Sequence, residues 1–544
     1  MNFLFIKDKT SFPADALAKV TEKLNTIWGK TVQIESGETV FICEERMRSK
    51  SLVPATALGA FGYISGVVRS RKLPKKDKLK SHNEKFIDQL TENESEIFNP
   101  EWTGCFSALA YSKNKGTVHL ASDIIGSFQL YYTRSCSHFV ASNSLIAMNF
   151  LLGFSVDLVG LLQILSPPDY CYFGKKTCVK GIFRILPGET IRVSSSSIEQ
   201  TSPDSSLYDP KVVTDIKETA EVTWNVIKED TELLLRFDET IHIAMSGGLD
   251  SRLVLASIPD GKKIKCHTYG LTEYFETNVA RKCAESIGAE FTTHDVRPHT
   301  HPSRNILEKY LLKTESIHVS HWFSVAENSD ISDELLLMGD MTDALSTRNI
   351  KTHSSRNSRI SNYLKYMITG RSIKFERANS ANFSKWENAK IKSIRESAHS
   401  MIKLIPFIEA STDDLLDELL EEVLISTKRV KTHNLDYAEL YDELFQVYHH
   451  GSQGMGRQFR FMNSCYQSLS PNMSVRQMKY LFSVNPSLRM YHRLFSEIAK
   501  LFENRNLSRI CTSHTISRKV CDYGSKVEIQ IDFDFDEDLD LDNE

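Results

Sequence analysis

At 544 residues, with 41% hydrophobic and 25% charged side chains, the chain is long enough for two or three domains with sizeable cores. Its 66 basic and 70 acidic residues leave a formal net charge of −4, which argues against bulk nucleic-acid binding and against a membrane-surface role. The opening residues Met1 to Lys9 lack the basic lead and long apolar run of a secretory signal. Ten cysteines without a C-x-x-C pair suggest neither a zinc site nor a disulfide framework, so the expected compartment is a reducing cytoplasm.

Residues 1–195 read as a domain of short strands. Gly104 to Tyr111 and Thr117 to Ser122 are apolar runs joined by a Lys-Asn-Lys-Gly turn, a hairpin signature. Gln129 to Thr133 and His138 to Ser142 form a second such pair. Seven basic residues against one acid between Arg69 and Lys80, broken by Pro74, predict a solvated loop. Leu145 to Leu165 is apolar but contains Asn149, Asp157 and Gln163, which suits packed helices better than a bilayer span. Serine-rich residues 196–214 predict a linker, and a helix is expected from Asp215 to Arg236.

Residues 240–251 organise the rest. Ile241, Ile243 and Met245 alternate with other residues as a strand entering a sheet. Ser246, Gly247 and Gly248 make a turn, and Asp250 and Ser251 are expected to cap the helix that follows. Strand, small-residue turn and helix N-terminus together form an anion cradle, since free amides converge there and the helix dipole favours negative charge. The Asp250 carboxylate would repel a bare phosphate, so its natural partner is magnesium (Mg²⁺) bridging phosphate oxygens. The Walker spacing Gly-x-x-x-x-Gly-Lys-Ser/Thr is absent.

A second strand, Ile264 to Gly270, ends in Thr268 and Tyr269, which are candidate adenine-side contacts. A helix follows from Glu276 to Gly288, and Leu335 to Met338 make another strand running into Gly339-Asp340-Met341-Thr342-Asp343. Alternating strands and helices predict an α/β domain with a parallel sheet, which binds ligands at the carboxyl ends of its strands. Two acids from separate strand ends are what a Mg²⁺ held between protein and triphosphate needs.

Ser246-Gly247-Gly248-Leu249-Asp250-Ser251 resembles the PP-loop, Ser-Gly-Gly-x-Asp-Ser, of enzymes that cut ATP between its α and β phosphates. Upstream, Asp123 to Tyr132, Phe139 to Asn143 and Lys180 to Glu189 resemble, in the same order, segments of the asparagine synthetase family. The resemblance covers about residues 100 to 345. It implies an α+β class II amidotransferase-like sandwich at 1–195, then a synthetase-like ATP pyrophosphatase domain at 215–528 with a helical carboxyl-terminal region. Ser246, Gly247, Gly248, Ser251 and Gly339 would hold ATP pyrophosphate, Asp250 and Asp343 the metal, and Asp340 would match the acid preceding that ligand. Glu376 lies about where relatives place a glutamate near the amine.

Relatives that use glutamine carry a cysteine after the initiator methionine, whereas this chain has Asn2, and its nearest cysteine is Cys43. An amide cannot attack glutamine, so the first domain is expected to lack glutaminase activity. The resemblance therefore implies ATP-dependent adenylation of a small-molecule or peptide carboxylate and transfer to an amine not drawn from glutamine, with no nucleic acid or membrane partner. That logic is closest to the β-lactam synthetases and lasso-peptide cyclases, although the former carry a tyrosine at the place of Asp340. The alternatives are an asparagine synthetase using free ammonia and a nucleotide-binding pseudoenzyme.

Beyond the metal strand, residues 345–396 hold twelve Lys or Arg and three Glu, and predict a solvated insertion. His299 with His301, and His449 with His450, lack zinc spacing and are expected to be surface or hydrogen-bonded histidines. Ser411 to Leu424 predicts an amphipathic acidic helix, Arg457 to Arg489 further helices, and 529–544 a disordered acidic tail.

Overall fold

The computed structural model describes residues 2–510 except 75–76, 154, 168, 196, 202–214, 317–321, 330–333, 341, 343–376, 406–410 and 490–491. Period-two apolar stretches build the first half. Its strands are β1 (Phe3–Lys7), β2 (Thr31–Ser36), β3 (Thr39–Glu44), β4 (Leu52–Val53), β5 (Ala60–Ser70) and β6 (Trp102–Ser112). They continue with β7 (Thr117–Ser122), β8 (Tyr131–Arg134), β9 (Phe139–Ser142), β10 (Phe183–Arg184), β11 (Thr190–Val193) and β12 (Ile198–Thr201). Two antiparallel six-stranded sheets result, in the orders β10-β8-β9-β1-β3-β2 and β12-β11-β7-β6-β5-β4. Both expected hairpins form, as β6–β7 and β8–β9.

Phe3, Phe5 and Phe41 from one sheet meet Tyr63, Leu109 and Leu120 from the other, so the sheets stack face to face. Helices Ala14–Trp28 and Leu145–Leu152 cover the outer face of the first sheet through Leu24, Trp28 and Met148. Helix Leu79–Glu92 covers the second through Phe86, Ile87 and Leu90. The outcome is a four-layered α+β sandwich. The apolar stretch 145–165 is two short helices, Leu145–Leu152 and Leu158–Leu165, as expected. Among the described residues, no helix is long and apolar enough to cross a membrane.

Two boundaries differ from expectation. Ile198–Thr201 pairs with β11 instead of belonging to the linker, so the first unit runs to Thr201. The basic stretch after Arg69 is not wholly solvated: Arg69 is buried at the end of β5, and Arg71 pairs with the buried Asp230.

The second half opens with helix Ile216–Leu234, whose first amides, Lys217 and Glu218 N–H, donate to the Asp215 carboxylate. Then come β13 (Thr240–Ala244), β14 (Lys263–Tyr269), β15 (Glu290–His294), β16 (Leu335–Leu337) and β17 (Gln467–Leu469), all parallel, in the order β15-β14-β13-β16-β17. The Leu335-Leu336-Leu337 run is fully buried, as a strand covered on both faces requires. Residues 457–489 hold strand β17 as well as the expected helices. Residues 380–396, the last part of the stretch expected to be solvated, lie in the helix Ser380–Ile402, which buries Phe383, Trp386 and Ile394. The acidic helix runs Thr412–Thr432 from an N-cap at Ser411. The acidic tail lies outside the described residues.

The halves share one core, since Val67, Cys105 and Phe128 of the sandwich pack with Ile241, Leu337 and Leu469. Hydrogen bonds stitch the same seam: Gln467 Nε2 donates to the Gly66 carbonyl at 3.0 Å, and Arg46 Nη1 to that of Ser464 at 2.9 Å. All eight cysteines among the described residues are free thiols.

Candidate functional site

From β13 the chain steps outward to β14 and β15, then returns to the other side of β13 for β16 and β17. The strand order therefore reverses between β13 and β16, the position at which open parallel sheets bind ligands. A cleft of about 220 Å³ opens at that point. Ser246, Asp250 and Ser251 line it from the end of β13, Thr268 and Tyr269 from β14, and Gly339 and Asp340 from β16. Residues singled out from three distant parts of the sequence thus share one wall. Asp343 and Glu376 lie outside the described residues.

The turn after β13 is closed by its own hydroxyls. Ser251 Oγ accepts from the Ser246 N–H and donates to the Ser246 carbonyl, both at 3.1 Å, while Ser246 Oγ accepts from the Gly248 N–H at 3.1 Å. Helix Leu249–Ser257 starts from Gly248, and no side chain caps it. This corrects the expectation that Asp250 and Ser251 are caps: Asp250 lies in the first turn, and the Ser251 hydroxyl is engaged by the loop. The helix N-terminus therefore faces the cleft with its dipole unmasked by a capping side chain.

The glycines answer to packing. Neither Gly247 nor Gly248 is left-handed. A Cβ on Gly247 would press on Val279 at 3.2 Å and on the Glu276 carbonyl at 3.3 Å, both on helix Phe275–Ser286. Gly339 is tighter, because a Cβ there would lie 2.9 Å from the Ser251 backbone nitrogen and 3.0 Å from the Asp250 carbonyl carbon. Its turn is fixed from β17, with Ser470 Oγ donating to the Asp340 carbonyl at 2.7 Å and Asn472 Nδ2 to Thr342 Oγ1 at 2.6 Å. Gly339→Ala should therefore push β16 and the loop helix apart and destabilise the protein by about 1–3 kcal/mol. Urea unfolding measures this, and an unchanged midpoint would contradict it.

Sequence reasoning missed four contributors. Trp322 meets Tyr269 edge to face, with ring centroids 4.9 Å apart, giving the cleft an aromatic wall suited to a planar base. Glu276 and Gln458 complete the lining. Burial first, then the carboxylates of Glu276 and Asp340, raise the Tyr269 phenol above its ordinary range. Arg252, buried on the loop helix, donates through Nη2 to the Gly247 carbonyl at 3.1 Å and through Nη1 to that of Ile510. A charge among Leu253, Val254 and Leu255 was the one sequence sign of that clamp.

Asp250, Glu276 and Asp340 make the lining acidic. Among the described residues, no cluster of three or more His, Cys, Asp or Glu side chains could hold a metal ion by itself. The donor set fits a hard cation held jointly with phosphate oxygens, which needs only one or two protein carboxylates. Away from the cleft, at the seam between the halves, Asn2 Nδ2 donates to Glu44 Oε1 at 3.0 Å and to the Lys313 carbonyl at 2.8 Å.

No protein-family model matches this chain, and no curated protein does. Among solved structures it is similar to a glutamine phosphoribosylpyrophosphate amidotransferase from B. subtilis, complexed with ADP and GMP, at 8% identity and TM-score 0.23. The match covers 62% of this chain and 75% of that one. A structure described as the allosteric regulatory enzyme of purine biosynthesis matches at the same identity and TM-score, over 62% and 74% of the two chains. So distant a likeness assigns neither fold nor activity.

Proposed function

We propose that this chain is an ATP-dependent, AMP-forming C–N ligase of asparagine synthetase type, in which a PP-loop domain adenylates a carboxylate and passes it to an amine. One observation carries the reading: the Ser246–Ser251 corner, the uncapped helix N-terminus and the Gly339–Asp340 turn converge on a single cleft at the strand-order reversal. The free amides at the helix start, with the Ser246 hydroxyl, bind the β and γ phosphates, while Ser251 shapes the corner through its two bonds to the Ser246 backbone. Tyr269 and Trp322 hold the adenine. Asp250 and Asp340 would hold Mg²⁺ when it is bound, and Asp343 is proposed as a further ligand. The metal, when bound, neutralises charge on the departing pyrophosphate.

In that arrangement the protein's part is positioning and electrostatics. The corner fixes the leaving pyrophosphate, so that a carboxylate attacking the α-phosphorus is aligned with it. An amine then attacks the acyl adenylate and AMP leaves. The sandwich is read as an amidotransferase-like unit without glutaminase activity. Asn2 offers only an amide where glutamine-using relatives place a thiol, and the Cys43 thiol is buried on β3. The amine therefore comes from another source.

The test is ATP–pyrophosphate exchange across a panel of carboxylates, with amide formation scored on adding amines. Exchange should appear with at least one carboxylate. Asp250→Asn should lower it by about 100-fold or more, with an unchanged denaturation midpoint. Binding of MgATP without exchange on the whole panel would mark a nucleotide-binding scaffold instead.

A further inference from the structure

Three imidazoles run in file across the parallel sheet beside the cleft. His242 on β13, His267 on β14 and His294 on β15 share one face, because Ala244 is the register partner of His267 and Tyr269 that of His294. Those two partners, Ala244 and Tyr269, line the cleft. His242 Nδ1 lies 2.7 Å from His267 Nε2, and His267 Nδ1 lies 3.1 Å from His294 Nε2. His242 Nε2 lies 2.7 Å from the carboxylate of Glu334, just ahead of β16. The three histidines are buried, whereas the Glu334 side chain is 39% exposed. Tyr466 packs over His242 and His267, with ring centroids 4.6 and 5.7 Å away.

A neutral imidazole carries one donor and one acceptor, so one hydrogen bond sets the next. The Glu334 carboxylate accepts from His242 Nε2–H. His242 Nδ1 must then accept from His267 Nε2–H, and His267 Nδ1 from His294 Nε2–H. Every lone pair consequently points toward the His294 end of the file, on edge strand β15 beside the cleft residue Tyr269, where His294 Nδ1 has no hydrogen bond among the described residues. Burial keeps the imidazoles neutral: it brings His267 down to about 3 and lowers both His242 and His294. The charged groups facing the file are Lys265 from β14, Glu290 from β15 and Glu334.

We infer that His294, His267, His242 and Glu334 form a proton path that drains the cleft to solvent on the amino-terminal side of the sheet. The inference rests on the ligase reading, in which the attacking amine loses a proton as the amide forms. One proton binds at His294 Nδ1, beside Tyr269. The Nε2 proton of His294 passes to His267 Nδ1, that of His267 to His242 Nδ1, and that of His242 to Glu334. Glu334 releases one proton to water. One proton enters, one leaves, and no buried ring holds positive charge at rest.

Two measurements test this on the full chain. With histidine labelled by nitrogen-15, two-bond proton–nitrogen spectra read each tautomer; all three rings should carry the proton on Nε2. Glu334→Lys presents a donor in place of an acceptor and should move the proton of His294 to Nδ1, three hydrogen bonds away, whereas Glu334→Gln should leave it on Nε2. A His294 tautomer that is the same in all three proteins overturns the path. In the second measurement, His267→Gln should keep ATP–pyrophosphate exchange within about twofold while slowing amide formation about 100-fold, with loss of its solvent deuterium effect. Equal amide-forming rates in wild type and variant overturn the path while leaving the ligase reading intact. Absence of exchange in the wild type defeats the ligase reading instead, and the tautomers still decide whether the file is directional.

Discussion

Replacing Arg489 with leucine should destabilise the protein by about 3–5 kcal/mol, the usual loss when one partner of a buried ion pair is removed. Arg489 lies in the short helix Pro486–Arg489, and Glu443 in helix Leu440–Gln446. The guanidinium donates twice, Nη1 to Glu443 Oε1 at 2.9 Å and Nη2 to Oε2 at 2.8 Å, the bidentate form that fixes orientation as well as distance. Only 1% of one side chain and 2% of the other is exposed, so neither charge can turn to water when its partner is lost. The penalty comes from the stranded carboxylate, not from the lost attraction. The double variant with Glu443→Leu should therefore recover most of the stability that the single variant loses. Urea unfolding of the wild type, both single variants and the double variant measures this. A single-variant loss below about 1 kcal/mol would show that the carboxylate finds water or a proton without cost.

What was legible in the chain was whatever a single element encodes. The alternation around Ile241 and Ile243, the Lys-Asn-Lys-Gly hairpin and the leucine face after Ser411 each announce one strand, turn or helix, and each is present. Strands β12 and β17 escaped because Ile-Glu-Gln-Thr and Gln-Ser-Leu are short, polar and on sheet edges, where one neighbouring strand dictates the structure and local preference does not. The same limit explains the site. Ser246, Asp250, Thr268, Tyr269 and Gly339 could be picked out because loops at the carboxyl ends of parallel strands are where ligands bind. Trp322 and Gln458 arrive from elements whose packing is set by distant contacts. The reading of Ser251 as a cap followed a sound local rule, but the Ser246 backbone takes up that hydroxyl. The histidine file is the extreme case. It depends on strand register, and 25 and 27 residues separate its members along the chain.

Those histidines also set how the fold should respond to acid. His267 and His449 are buried and protonate only near 3, and His82 near 4, each because burial penalises the charged ring. His82 is also committed as a neutral acceptor, whereas for His449 the Phe445 and Phe173 carbonyls oppose burial without outweighing it. His82 Nδ1 accepts the Ser70 N–H at 3.0 Å, and His449 is held between the Phe445 carbonyl and Ser426 Oγ. In the unfolded chain the same rings protonate near 6.5. Between about 6.5 and the folded values the unfolded state thus binds more protons, and stability falls as the pH falls, by about 1.4 kcal/mol per pH unit for each ring. Asp123 and Glu315 work in the opposite sense. Burial raises both carboxyls, so the folded state takes up their protons first, and acid favours it in the window just above their ordinary values of 3.8 and 4.5. Between about pH 6.5 and 5 the histidines should dominate, and the urea midpoint should drop steeply there. His449→Gln can keep both hydrogen bonds without a titrating ring, so it should flatten that slope by one histidine's share. A slope unchanged by the variant would mean that His449 is protonated as readily in the folded protein as in the unfolded chain.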